Sequence, residues 1–276
     1  MGAKVWLITG SGRGLGFEFA AAALERGDSV VATARNTAAL ERLAADAGDR
    51  ALVLSLEVTD RTAVSAVVAQ TLERFGRLDV VVNNAGYGIH GAVEELGEEE
   101  MRAQLETNFF GPLWVMQAVL PVMRSQRSGH ILNVSSTAGA AGFALVGGYS
   151  ASKFALEGIS ECLAFEAAAF GVNVTIVEPS DFRTGFRDAC HKRANPIAAY
   201  EEAFADDLDR LSSRHSGTEA GDPRRAAAAL LELVDDPNPP LRFLLGNRAF
   251  DRLTEHHRAQ LEEWAGQETR ARSVDG

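Results

Sequence analysis

The segment from Lys4 to Gly27 constrains the fold more than any other. Lys4-Val5-Trp6-Leu7-Ile8-Thr9 is an apolar run that stops at glycine, and Phe17 to Arg26 carries apolar residues at helical spacing before Gly27 at a C-cap position. Between them lies Thr9-Gly10-Ser11-Gly12-Arg13-Gly14-Leu15-Gly16. A strand, a glycine-rich turn and a helix in this order predict the opening unit of a doubly wound sheet. Gly10 permits the sharp turn, Gly14 lets a phosphate group reach the backbone, and Gly16 lets the helix pack close to the strand. Ser11, Arg13 and Leu15 complete a loop whose free N–H groups face that phosphate.

The same alternation continues along the chain. Asp28–Arg35, Ala51–Leu56, Leu78–Val82, His130–Ser135, Val172–Val177 and Leu241–Leu245 read as further strands, the Leu78 run being apolar throughout, as a strand buried on both faces should be. Helices are expected up to Phe75 after a Thr59 or Asp60 cap, over Glu98–Gln126, from Tyr149 onward, over Pro223–Val234 and over Asn247–Trp264. Seven strands with intervening helices predict an α/β fold: a doubly wound seven-stranded parallel sheet that binds ligands at its carboxyl edge. No linker-like break interrupts the alternation, so one domain is expected over 1–276. Residues 182–221, with Tyr200, Phe204 and the acidic run Glu201, Glu202, Asp206, Asp207 and Asp209, read as a helical substrate lid with a solvated acidic face and no strand. Residues 265–276 read as a frayed tail.

Composition excludes several function classes. The 276 residues carry a net charge of −11, which argues against nucleic acid or an anionic membrane as a partner, since phosphate backbones need clustered Lys and Arg. No apolar stretch near membrane-span length and no secretory leader is visible, and Trp6 stands where a myristoylation motif wants Ser or Thr. Cys162 and Cys190 fit neither a metal cluster nor a disulfide framework. The expectation is a cytoplasmic protein without a metal.

The chemistry is carried by Ser136, Tyr149 and Lys153. Four positions apart on a helix, the Tyr149 phenol and the Lys153 ammonium share a face with bases roughly 5–6 Å apart. A cation beside a phenol favours the phenolate and brings the hydroxyl toward useful proton transfer near neutral pH. Ser136 follows the His130–Ser135 strand at a position where such sheets place chemistry. Gly139 to Gly148 is small, apolar and uncharged, which suggests an apolar substrate face, whereas His90, in a glycine-flanked loop, reads as a bystander.

Together with Asn83-Asn84-Ala85-Gly86, these motifs resemble the short-chain dehydrogenase/reductase family over roughly residues 3 to 250. The resemblance implies a Rossmann fold and reversible hydride transfer between a nicotinamide cofactor and a ketone or secondary alcohol. Tyr149 would be the proton donor, Ser136 the hydrogen-bond donor to the carbonyl, and Lys153 the residue that lowers the Tyr149 pKa and grips the nicotinamide ribose. Asn108 would hold a relay water. Asn84, Ala85 and Gly86 would hold the sheet centre and the adenine-side ribose, with Glu57 and Val58 at the adenine. Glu57 is one methylene longer than the family's Asp. Pro179, Phe182 and Thr184 would face the carboxamide, with Ser180 where the family has Gly, so that its backbone either avoids positive φ or is strained. The second strand ends in Ala34-Arg35, without the acidic residue that repels a 2′-phosphate, and Arg35 with Arg13 implies NADP(H) rather than NAD(H). Family members are mostly homodimers or homotetramers. The alternative is a non-catalytic dinucleotide-binding sensor of the same fold.

Overall fold

The structure, a computed structural model, describes residues 2–193, 195–212 and 217–274; positions 194 and 213–216 of the expected lid and 275–276 of the expected tail lie outside them. The first half comprises β1 (Val5–Ile8), α1 (Gly14–Arg26), β2 (Ser29–Ala34), α2 (Ala38–Ala47), β3 (Ala51–Ser55), α3 (Arg61–Phe75) and β4 (Val80–Asn83). Then come β5 (Ile89–His90), α4 (Glu98–Leu105), α5 (Gly111–Gln126), β6 (Gly129–Val134), α6 (Thr137–Ala140), α7 (Gly147–Ala168) and β7 (Val172–Pro179). The chain ends with β8 (His191–Lys192), α8 (Ala198–Ala203), α9 (Ala205–Leu211), α10 (Pro223–Asp235), β9 (Arg242–Leu245) and α11 (Asn247–Arg272).

Among the described residues, seven strands form one parallel sheet in the order β3-β2-β1-β4-β6-β7-β9, the doubly wound arrangement expected. Successive strand residues point to opposite faces and feed two cores. Trp6 and Ile8 pack with Phe19, Ala23 and Leu230 on one side, and Leu7, Val81 and Ile131 with Val64, Val115 and Leu163 on the other. Because the strand order reverses between β1 and β4, a crevice opens at their carboxyl ends. Asp60 is the α3 cap, its carboxylate accepting from the N–H groups of Thr62 and Ala63 at 2.8 and 3.0 Å.

Helix runs through Glu98–Gln126 as expected, a π-helical turn at Glu106–Phe110 joining α4 to α5. Two expectations are corrected. The lid does contain a strand: β8 pairs in parallel with β5, a ladder of two residue pairs that is too short to leave a hydrophobic period. The last helix runs past Trp264 to Arg272, because its final turns hold helix formers and an Arg272–Glu268 pair one turn apart at 2.8 Å.

Candidate active site

A cleft of about 1700 Å³ lies over the carboxyl ends of the strands. Its floor is the β1–α1 turn. Gly10 has φ +67°, and a Cβ there would come within 2.7 Å of the Ala85 backbone. At Gly16 a Cβ would lie 2.4 Å from Asn84 Nδ2 and 2.7 Å from the Gly10 carbonyl. Asn84 locks β4 to this turn by donating from Nδ2 to the Thr9 and Gly10 carbonyls, both at 3.0 Å. Gly10, Arg13, Gly14 and Leu15 line the cleft. Ser11 is buried and turned away from it: its N–H donates to the Thr33 carbonyl and its hydroxyl to the Ile8 carbonyl, both at 2.8 Å, so it serves the turn. Gly16 likewise lies beneath Asn84 and acts through packing.

Ser136, Tyr149 and Lys153 converge on the opposite wall. Ser136 begins α6 and caps it, its hydroxyl accepting from the Ala138 N–H at 3.1 Å. The Lys153 ammonium donates to the Val134 carbonyl at 2.7 Å and sits 5.8 Å from the Tyr149 ring centre. Burial holds its pKa down to about 8, with the Glu157 carboxylate pulling it back up. Burial pushes the Tyr149 phenol above its ordinary value, against the pull of Ser136. In this arrangement loss of water around the hydroxyl outweighs the Ser136 hydrogen bond.

Asn108 is at the centre of the π-helical turn and fully buried. Its Oδ1 accepts from the Tyr87 N–H at 3.1 Å, while Nδ2 donates to the Tyr87 carbonyl at 2.9 Å and to Ser152 Oγ at 3.0 Å. It thus clamps the loop after β4 to the residue preceding Lys153. The wider turn is what lets this amide face inward.

At the adenine end, Arg35 is exposed and 3.8 Å from Glu57, a pair too open to be worth much. Val58 is buried against α5. Arg13 reaches to the Gly185 carbonyl at 3.5 Å. Ala85 and Gly86 line the middle of the cleft with Pro179 and Ser180. Ser180 escapes strain, since Arg127 and Leu145 are the positive-φ non-glycine residues among those described; its N–H donates to the Leu245 carbonyl at 3.0 Å. Thr184 rests on the glycine loop, 3.1 Å from where a Gly14 Cβ would stand. Phe182 packs into the core and also lines the cleft.

On the substrate side the sequence did not single out Arg187, His191 and Arg210, which line the cleft. Phe186 tilts against Tyr149 with ring centres 5.7 Å apart, and Tyr87 lies 4.7 Å from the His191 ring. Phe143, Ala144 and Val146 form an apolar wall, and Arg187, Asp207 and Arg210 face it from the lid. The lid's acidic face is therefore not wholly solvated, since Asp207 is half-buried at the cleft while Glu201, Glu202 and Asp206 are exposed. Tyr200 donates to Glu94 at 3.0 Å and lies outside the cleft lining. His90 does line it; burial first, then Arg187, takes its pKa down to about 4. Both cysteines are free, and burial pushes the Cys190 thiol up to about 11.

A parallel sheet with a glycine cradle at its reversal point, facing a serine, a tyrosine and a lysine across one cleft, defines a dinucleotide-binding α/β architecture. A family profile for short chain dehydrogenases matches residues 4–195, and the chain belongs to that family of oxidoreductases. It is 41% identical over 252 residues to oxidoreductase BOA17 of Botryotinia fuckeliana, covering 90% of each chain. It is 39% identical to a 3-ketodihydrosphingosine reductase of Bacteroides thetaiotaomicron, covering 88% of each. The crystal structure of a short-chain dehydrogenase from Streptomyces avermitilis superposes with TM-score 0.91 at 43% identity over the whole of both chains. Two structures at 25% identity carry cofactors: one from Burkholderia phymatum in complex with NAD (TM-score 0.81, 94% and 95% covered) and ElxO with NADP (0.75, 91% and 100%). No helix among the described residues is long and apolar enough to cross a membrane, and among them no cluster of three or more His, Cys, Asp or Glu could hold a metal.

Proposed function

We propose that this chain is an NADP(H)-dependent oxidoreductase that interconverts a carbonyl compound and a secondary alcohol with a hydrophobic body. The observation that carries the reading is the convergence of Ser136, Tyr149 and Lys153 on one cleft wall opposite the glycine loop. The cleft fits a dinucleotide, because the cradle at Gly10 and Gly14 leaves no side chain between the α1 N-terminus and a bound phosphate. Gly10, Arg13, Gly14 and Leu15 would hold the pyrophosphate, Arg35 the 2′-phosphate, and Glu57 and Val58 the adenine. Asn84, Ala85 and Gly86 would hold the sugars with Lys153, and Pro179, Ser180 and Thr184 the carboxamide.

A nicotinamide held there would supply or accept the hydride. Tyr149 donates its hydroxyl proton to the substrate oxygen as the carbonyl is reduced and takes it back in the reverse direction. Ser136 donates a hydrogen bond to the same oxygen and so orients it. Lys153 places a positive charge beside the phenolate that Tyr149 becomes, favouring that charged form. Asn108 holds Tyr87 and Ser152, keeping the loop and helix that flank Lys153 in register. Phe143, Val146 and Phe186 exclude water from the reacting centre and take the apolar body of the substrate.

The relatives support this reading. One is named for reducing a ketone, 3-ketodihydrosphingosine, and structural neighbours hold NAD or NADP. Arg35 tips the choice toward NADP(H). We further propose that the chain acts as one domain in a cytoplasmic homodimer or homotetramer. A non-catalytic sensor has no observation in its favour, since Ser136, Tyr149 and Lys153 are all present. The test is cofactor oxidation across a panel of apolar ketones with NADPH and NADH in parallel. Turnover that prefers NADPH is the expected result; cofactor binding without turnover on any ketone overturns the reading.

A further inference from the structure

Glu157 stands one helical turn beyond Lys153 on α7, is 97% buried, and has no part in the reaction derived above. Its Oε1 accepts from Ser135 Oγ at 2.6 Å. Lys153 in turn donates to the carbonyl of Val134. Two consecutive residues at the end of β6 are therefore held by two α7 side chains one turn apart, and the next residue is Ser136. Arg242, reaching across from β9, closes the far side by donating to Glu157 Oε2 at 2.5 Å and to Glu178 at the end of β7 at 2.8 Å, and it also pairs with Glu161.

The groups facing Glu157 are Lys153 and Glu161 from its own helix, Glu178 from β7, Arg242 from β9 and the Ser135 hydroxyl. α6 contributes Gly139, where a Cβ would stand 2.2 Å from Ser135 Oγ, 2.4 Å from Glu157 Oε1 and 3.0 Å from Lys153 Cβ. The fold thus leaves out a methyl group at the one place where it would part these three side chains.

We propose that Glu157 is a positioning residue for this site: anchored by Ser135 and Arg242, it fixes the strand end that carries Ser136 against α7 and gives the Lys153 ammonium its buried counter-charge. The inference rests on the hydride-transfer reading for its functional consequence. An anion one turn away favours the charged lysine, so Lys153 keeps its positive charge near neutral pH despite burial. Burial, and Glu161 after it, raise the Glu157 pKa; the Ser135 hydrogen bond, and then the Arg242 guanidinium shared among the three carboxylates, work in favour of its charged form.

The test is Glu157→Gln, which keeps the side-chain size and one acceptor oxygen, enough for Ser135 or Arg242 but not for both, while removing the charge. The chain holds three lysines, Lys4, Lys153 and Lys192, so protein labelled with 13C at lysine Cε gives few signals, and Lys153→Arg assigns the one of interest. In the absence of cofactor and ketone, the Lys153 midpoint is expected to fall on the order of one pH unit in Glu157→Gln. In turnover, kcat is expected to fall about 10- to 100-fold while both KM values stay within about threefold. Glu157→Asp keeps the charge on a shorter arm, and should retain most of the Lys153 midpoint but less than half of kcat. An unchanged midpoint in Glu157→Gln, or an unchanged kcat in a protein that turns over, overturns the proposal. Should Glu157→Gln not fold, Glu157→Asp decides it, a wild-type kcat being the contrary result. Wild-type protein that reduces no ketone refutes the hydride-transfer reading instead, and the titration still judges the counter-charge.

Discussion

Replacing Gly16 by alanine adds one methyl group where the cofactor cradle has no room for it. The new carbon would lie 2.4 Å from Asn84 Nδ2 and 2.7 Å from the Gly10 carbonyl, against the 3.4–4 Å of ordinary contact. Neither neighbour yields easily. Asn84 is held by two hydrogen bonds of 3.0 Å, and Gly10 is fixed at φ +67° in the turn. Forcing Asn84 aside loses about 1 kcal/mol for each hydrogen bond, and overpacking adds about 1–3 kcal/mol. The better helix propensity of alanine returns at most ~1 kcal/mol. The net cost is about 2–4 kcal/mol, a fall in Tm of roughly 5–15 °C for a chain of this size. Gly266→Ala is the control: nothing lies within 4 Å of its Cβ position on exposed α11, so the same substitution should leave Tm unchanged or slightly raised. Thermal melts of the three proteins by circular dichroism, with NADPH affinity from fluorescence titration, make the comparison. A Gly16→Ala protein that melts within a degree of wild type and binds NADPH equally well would refute the reasoning.

Arg35→Asp should raise the KM for NADPH by about 10- to 100-fold, the worth of a charge-assisted phosphate contact, and leave that for NADH nearly unchanged; equal effects on both contradict the assignment. His130 provides a pH test of stability. Thr175 donates its hydroxyl hydrogen to the Pro240 carbonyl at 2.8 Å, so His130, 2.9 Å away, must donate to it from Nε2. Burial first, then Lys4, takes the His130 pKa from 6.5 down to about 4. A depressed value means that the unfolded chain binds the proton more readily, so the contribution is complete above pH 6.5 and is lost as pH falls through 4, about 3 kcal/mol in all. Glu178, raised by burial to about 7, works in the opposite sense, its contribution being present at low pH and lost as pH rises through 7. The readout is therefore the difference between wild type and His130→Gln in denaturant unfolding from pH 7 to 4, where the variant should lose less stability.

Much of the fold was legible because burial on both faces leaves continuous apolar runs: Val80 to Val82 could hardly be anything but a central strand. The glycine loop was legible because Gly10 and Gly16 are each required by a backbone approach that no side chain allows. What escaped depends on contacts distant in the chain. Glu157, Glu178 and Arg242 are an unremarkable helix acid, strand acid and strand base until the sheet sets β7 beside β9, and nothing in local spacing announces their meeting. Phe186 and Asp207 lie in a lid whose short helices and two-residue strand carry no period, so which side chains turn inward is settled only by packing. The part Ser11 plays in the turn is hidden for a related reason. In the sequence it is one more polar loop residue, and only the turn shows its hydroxyl spent on Ile8. At Asn108 the sequence marked the residue, but the π-helical turn that points it inward is a property of the surrounding helices.

The central claim is that the Tyr149 hydroxyl supplies the proton when a carbonyl is reduced, and Tyr149→Phe removes that one oxygen. Single-turnover reduction of any ketone the wild type accepts, with saturating NADPH, should slow by about 10²- to 10⁴-fold with cofactor affinity unchanged. A variant that reduces the ketone within about threefold of the wild-type rate contradicts the assignment of this tyrosine as the proton donor.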